Sequence, residues 1–252
     1  MEEGMKMEEK RVYSFSRVGT FITCPHSFKA KYIDGEKGLD NGWSLGGHFS
    51  HGVIEKVLSG EIPANKSAEY WEKNAPDIKF PHMTTAYVSK YIGRTIEFFR
   101  GFNGVNDEML GIERHFVIDI DGISFQGFID LETREAQGTK IIDWKFAAIS
   151  GFSGAKLKEK SRQLLLYSIA HKEKFGEYPK NMYFYLCLDR RPIEVKHTLG
   201  ALEEAKDWLK RGVEQIESAV EYPKQPSHFF CKNLCGISSC EFNGNYKREI
   251  DG

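Results

Sequence analysis

The chain has 252 residues, 40% of them hydrophobic, with 18 Phe and a formal net charge of −1. That is apolar material enough for a sizeable core, as one large domain or two small ones. A near-neutral chain has no bulk nucleic-acid signature. It has no run of about 18 apolar residues, so no membrane contact is expected.

Residues 1–12 are charged and lack the apolar stretch of a secretory signal, so they read as a short disordered lead. The rest, residues 13–245, reads as a single domain. Residues 14–33 pattern as one helix entered through a serine cap at Ser14 or Ser16. A second helix, 43–58, places His51 and Glu55 four apart on one face. Residues 60–82 are polar and Pro-containing, a loop or short helices, and 84–102 form a third helix. The period then changes. Strands 111–119 and 123–132 flank Asp121-Gly122, a strong hairpin signal. Strand 140–147, helix 156–174, strands 181–188 and 192–197 and helix 200–220 follow. The tail from residue 222 reads as irregular. This order of elements gives an α/β fold, a mixed central sheet flanked by helices.

The chemistry concentrates on the strands. Asp130 ends one apolar segment, and Asp143-Trp144-Lys145 lies in the next. Alternation puts Asp143 and Lys145 on one side, with Ile142, Trp144 and Phe146 on the other. Two convergent carboxylates and an ammonium suit a divalent metal and a phosphodiester. Each residue alone has a plainer reading: a surface ion pair for Asp143 and Lys145, a turn residue for Asp130, a structural histidine for His51. Glu55 reads as a solvated or supporting acid before it reads as a ligand. Two basic patches stand out, Lys29 with Lys31, and Lys156, Lys158 and Lys160 with Arg162. Any one such lysine more often marks a solvated surface.

The cysteines number five. Without a signal segment the expected compartment is reducing and cytoplasmic, where disulfides are rare and clustered cysteines more often hold metal. Cys231, Cys235 and Cys240 lie close together, and Cys24 is remote. Cys187 sits in an apolar run and reads as buried core.

G-x-x-D over 127–130, then D-x-K over 143–145, resembles the PD-(D/E)XK nuclease superfamily. His51 is similar to the upstream histidine of its RecB-like branch, and Gln163 to Tyr167 resembles that branch's Q-x-x-x-Y helix. Ser16-Arg17-Val18, Cys24-Pro25 and the late cysteines resemble its iron–sulfur members, including the AddB nuclease domain and Cas-four-type exonucleases. The resemblance covers roughly residues 14–243 and implies a restriction-endonuclease-like core.

It also implies a site. Beside Asp130 and Asp143, the carbonyl of Trp144 and the imidazole of His51 complete the ligands for Mn²⁺ or Mg²⁺. A nitrogen ligand favours Mn²⁺. Lys145 orients the attacking water and stabilises transition-state charge. Gln163 and Tyr167 reach the metal-bound water, a phosphate or a base. Cys24, Cys231, Cys235 and Cys240 hold a [4Fe–4S] cluster that joins the two ends of the chain, with structural Zn²⁺ as the alternative.

The expected activity is a metal-dependent deoxyribonuclease, an exonuclease on single-stranded DNA or DNA ends. No helicase P-loop is present, so unwinding falls to a helicase- or integrase-type partner. The setting is open between recombination and repair, CRISPR adaptation and phage DNA processing. Two rivals stand beside this reading. One is a non-catalytic module that binds DNA ends in a larger assembly, and the other is a nuclease directed at RNA.

Overall fold

The computed structural model describes residues 11–80 and 83–244. Most of the expected disordered lead therefore lies outside the described residues. Tyr13 lies inside and is part of the fold. Its N–H donates to Ser124 O (2.8 Å) and its O accepts from Gln126 N–H (2.8 Å).

Residues 14–33 form two helices, not the single helix expected. α1 spans Phe15–Thr23, with Ser14 Oγ accepting from Arg17 N–H, and α2 spans Pro25–Tyr32. Pro25 disfavours helical geometry in the residue before it, and Cys24 is extended (φ −161°, ψ 103°). α3 (Gly42–Leu58) is capped by Asn41. Beyond it, 60–82 contains a 3₁₀ turn, Ala64–Lys66, and α4 (Ser67–Asn74). α5 spans Thr85–Gly101.

β1 (Glu108–Ile120) and β2 (Ile123–Glu135) turn at Asp121-Gly122, both with positive φ (51° and 89°), as a two-residue primed turn requires. β3 is Gly138–Lys145, α6 is Gly154–Phe175, β4 is Asn181–Leu186 and β5 is Arg191–Glu194. Cys187 does not continue the strand as expected; it opens a 3₁₀ turn, though fully buried. α7 spans Leu199–Glu217. The tail is not wholly irregular: Ser227 caps α8 (His228–Asn233).

The five strands lie in sequence order. β3 and β4 are parallel, joined through α6, and the other pairs are antiparallel. One face packs on α1, α6 and α7 through Val18, Phe125, Ile129, Ile141, Leu164 and Leu209. The other packs on α3, α4 and α5 through Ile54, Trp71, Phe99, Leu131 and Trp144. Each fully buried side chain of this kind contributes about 1.5–3 kcal/mol. The α/β sandwich expected from the order of elements is what forms, and it fits a restriction-endonuclease-like core.

One irregularity positions the site. Ile129 belongs to the α6–α7 core and Leu131 to the α3–α5 core. Residues two apart on a regular strand share a face, so β2 changes face at Asp130. β1 does the same: Phe116 packs with α6, and Ile112 against the α3–α5 core. The switch falls at Glu113, whose φ is +44°. It sits between the paired positions Ile112–Leu131 and Arg114–Ile129, across from Asp130. A non-glycine residue in the left-handed region is strained, and such strain concentrates at functional sites. The β2–β3 ladder ends at Leu131–Ile142, so Asp130 and Asp143 stand where those strands part.

Candidate metal centre

At that parting Asp130 Oδ2 accepts from the Trp144 N–H at 2.8 Å. The same oxygen lies 3.4 Å from His51 Nδ1, and Glu113 Oε1 lies 3.8 Å from that nitrogen. His51, on α3, thus reaches across to the kink. Among the described residues, His51, Glu113 and Asp130 are the three whose candidate ligand atoms all lie within 4.8 Å of one another. Asp143 stands beside the trio. Its Oδ2 is 2.5 Å from Lys145 Nζ, yet not along a hydrogen-bonding direction, so this buried oxygen has an ion pair and no aligned donor. Asp130 is 9% and Asp143 3% exposed.

The electrostatics follow from this crowding. Burial, then the charge of Asp143, pushes the Asp130 carboxyl up to about 7. Burial opposes charging His51, but Glu113 and the aspartates outweigh it and raise its pKa. Burial likewise opposes the charge on Lys145, and Asp143 and Asp130 overcome it. Three acids around one imidazole, two of them buried, form a carboxylate-rich cage. The donor set, two or three carboxylates and one nitrogen, fits a hard or borderline divalent ion. Pocket walls on α3 add Trp43, His48 and Glu55. Glu55 is exposed and outside the tight group.

Glu113 is the site residue that sequence reasoning missed. On an alternating strand it reads as an ordinary solvated acid, and only the backbone switch turns it toward His51.

Gln163 and Tyr167 lie one turn apart on α6, with Gln163 Nε2 donating to Tyr167 Oη at 3.1 Å. Tyr167 is buried, which raises its phenol to about 12, and it feels the charges of Asp143 and Lys145. Its ring explains the glycine of G-x-x-D. A Cβ on Gly127 would sit 2.7 Å from the Tyr167 ring and 2.9 Å from Phe116.

The basic patches divide. Lys29 is taken by Asp34 (2.7 Å), and Lys158 by Glu204 (2.7 Å). Lys160 is half-buried, its pKa lowered by burial and by neighbouring Lys145, with its ammonium 5.2 Å from the Phe152 ring.

The two ends of the chain meet at α2. Leu39 N–H donates to Gly236 O (2.7 Å), and Glu36 accepts from Ser238 and Ser239. Cys24 caps α2, Cys235 and Cys240 are buried against Ala30, and burial raises the Cys235 thiol pKa. Cys231 Sγ accepts from Ser227 N–H (3.4 Å). Among the described residues these thiols do not close into a group with all ligand atoms within 4.8 Å. The closure of the termini is therefore observed, and the cysteine-ligated cluster is not.

A family model of the PD-(D/E)XK nuclease superfamily matches residues 12–244. The chain belongs to that superfamily. With the carboxylate–histidine cage at its strand parting, this PD-(D/E)XK protein is a metal-dependent nuclease. Its fold is similar to the crystal structure of a candidate exonuclease from Eubacterium rectale, with TM-score 0.52 and 14% identity over 84% of this chain and 83% of that one. No curated relative matches the chain in sequence. Among the described residues no helix is long and apolar enough to cross a membrane.

Proposed function

We propose that this nuclease acts on DNA, as an exonuclease on single strands or free ends. Its divalent ion, Mn²⁺ or Mg²⁺, is held by His51, Glu113 and Asp130, with Asp143 and the Trp144 carbonyl completing the set. The observation that carries this is the crowding of three buried or half-buried acids around His51, with Lys145 paired to only one of them. A buried like-charged cluster is costly unless a cation joins it. When bound, the ion neutralises phosphate charge and lowers the pKa of a water.

The chain's own residues do the rest. Asp130 holds the Trp144 backbone, which fixes the strand that carries Asp143 and Lys145. Lys145 stays protonated, so it serves the reaction as an oriented cation toward the phosphate and water. Gln163 and Tyr167 roof the site from α6 and position the strand or the water. All of Asp130, Asp143 and Lys145 are present, which counts against a purely binding role.

The junction of the termini is the second part of the proposal. Cys24, Cys231, Cys235 and Cys240 ligate a [4Fe–4S] cluster, in preference to Zn²⁺. The sulfur of Cys231 already accepts an N–H bond, Cys235 and Cys240 are buried beside α2, and a tighter group would be needed for one tetrahedral ion. A helicase- or integrase-type partner supplies any unwinding, in a repair, CRISPR or phage setting.

Cleavage of matched DNA and RNA oligonucleotides, single- and double-stranded, tests the reading. Activity should vanish in EDTA, return with Mn²⁺ and favour DNA. Metal-independent cleavage, or none on any substrate in Mn²⁺, rejects the site. Anaerobic protein should contain iron at four per chain; one zinc would replace the cluster assignment.

A further inference from the structure

Beyond the metal-binding kink the β1–β2 ribbon continues past α3. Its inner face is core: Phe116, Ile118, Ile120, Phe125 and Ile129 pack on α6 and α7. Its outer face carries His115 and Val117 on β1, with Gln126 and Phe128 on β2. An outward face of an antiparallel ribbon is ordinarily polar. Here Phe128 is 55% and Val117 52% exposed.

Phe128 is not a stray surface residue. It pairs across the strands with His115, and the two rings lie 4.7 Å apart at 37°. His115 is held in turn, its Nε2 donating to Gln126 Oε1 at 3.2 Å. A solvated phenylalanine is therefore fixed in orientation by a neighbouring ring that is itself bonded. The pair is the second past Glu113 and Asp130 on the same ribbon, after Arg114–Ile129. Two residues along a strand are about 7 Å, within one nucleotide of a phosphate at the metal.

We propose that Phe128 and His115 form a stacking platform for a nucleobase of single-stranded DNA whose scissile phosphate lies at the His51–Glu113–Asp130 centre. The proposal rests on the nuclease reading and adds its specificity element. An aromatic face accepts any base, so it gives no sequence preference. It does require an unpaired base, because a base inside a duplex is already stacked on both sides. The platform thus selects single strands or frayed ends by chemistry, with no groove readout.

The wall of this trough supports the same occupant. The pocket beside the centre is lined on α3 by Trp43, His48 and His51, with Glu55 as an acid on the same wall and Glu113 from β1, so a strand that leaves the platform toward the metal meets rings and imidazoles as well as that one outlying acid. A second copy of the chain on the exposed Phe128 and Val117 is the competing occupant, and the experiment separates the two.

The test uses full-length protein and short oligonucleotides with 2-aminopurine at successive positions from the end. Binding is measured in Ca²⁺, with recovery of intact oligonucleotide as the control. In the wild type one position should be quenched on binding. Phe128→Ala should abolish that quench and weaken single-strand binding about 5- to 150-fold, the range for one lost base–aromatic stack. Phe128→Trp should restore both, and duplex binding should change less than twofold. Equal quench and affinity in Phe128→Ala would overturn the platform. So would an equal loss on duplex, or a change confined to sedimentation, which assigns the face to self-association. If the wild type cuts nothing in Mn²⁺ but shows the Phe128-dependent quench, the platform stands and the catalytic reading fails.

Discussion

Asp130 and Glu132 lie two residues apart on β2, and both are buried, yet their surroundings differ in every respect. Glu132 is 0% exposed. It receives both Arg114 nitrogens, Nε and Nη2, the latter at 2.6 Å. His171 Nδ1 donates to it at 2.7 Å, and His171 Nε2 meets Thr139 Oγ1 at 2.8 Å. Burial would raise the Glu132 pKa, but Arg114 and His171 outweigh burial and lower it. Asp130 has one backbone donor, an imidazole at 3.4 Å and two more acids nearby. One acid is answered in full by protein cations. The other is crowded by like charge, so the metal-free chain favours its protonated form. Burial of an acid is thus no mark of function; the unanswered part of its charge is.

The network also explains how α6 is seated on the sheet. Gln163, Tyr167 and His171 recur at four-residue spacing on α6, one stripe of the helix. His171 anchors that stripe to β2 and β3 through Glu132 and Thr139, and the anchor sets where Tyr167 meets Gly127. The two acids differ in kind: Glu132 bonds the helix to the sheet, and Asp130 belongs to the carboxylate–histidine group at the strand parting.

The sharpest way to break the comparison is to neutralise each side of it. Asp143→Ala and Lys145→Ala should each lower cleavage by at least about 10²–10³-fold. Both should still fold: removing Asp143 relieves repulsion on Asp130, though each variant loses one partner of the Asp143–Lys145 ion pair and should be less stable than wild type. Glu132→Ala should act chiefly on stability. It leaves His171, buried, and Arg114, largely covered, without their acid and should cost about 3–5 kcal/mol of stability. The folded fraction should keep cleavage within about tenfold of wild type, the drop reflecting a looser α6. Denaturant melts beside cleavage rates on the same preparations decide. Glu132→Ala with normal stability and no activity would place Glu132 in the chemistry and erase the distinction.

This division was only partly legible in the sequence. Strand alternation, a local rule, puts Asp143 and Lys145 on one side with Asp130 on the neighbouring segment, and the motif resemblance adds His51; the structure brings these four side chains together. The meeting of the early segment with the tail is seen in bonds such as Leu39 to Gly236, while no group of thiols closes around Cys24 among the described residues. Glu113 could not be read. Its role depends on a left-handed residue at a change of strand face, and glutamate carries no signal for that conformation. Glu132 and His171 were equally silent, as their meeting needs α6 already docked. The helix break at Cys24 was legible in principle, since Pro25 announces it, but the apolar period across residues 14–33 concealed it.

A smaller effect should appear on adding metal. Mn²⁺ at about 100 times its Kd should stabilise the folded protein by about 2.7 kcal/mol. Asp130→Asn and Glu113→Gln should lose most of that gain. A Glu132 variant that still folds should keep it, because Glu132 meets no ion. The measurement is the shift in thermal midpoint with and without Mn²⁺, each variant compared with its own metal-free form. Equal shifts in all three variants would mean the ion sits elsewhere.

The smallest effect is the most diagnostic, because the two acids predict opposite signs. Asp130 titrates near 7 in the folded chain and near 3.8 as a model acid, so the metal-free folded state holds its proton more tightly than the unfolded state does. Its stabilising contribution is full below about pH 4 and is lost as pH rises toward 7. Glu132 is shifted down from 4.5, so its contribution is present above that value and is lost as pH falls through its lowered folded pKa. In EDTA, stability should therefore decline from pH 4 to 7 by an amount that Asp130→Asn removes. Below pH 4.5 the decline should run the other way and depend on Glu132. Saturating Mn²⁺ should flatten or reverse the upper slope, since the ion competes with the Asp130 proton and binds more tightly as pH rises. An upper slope unchanged in Asp130→Asn would show that the buried charge deficit belongs to some group other than the one at the parting of β2 and β3.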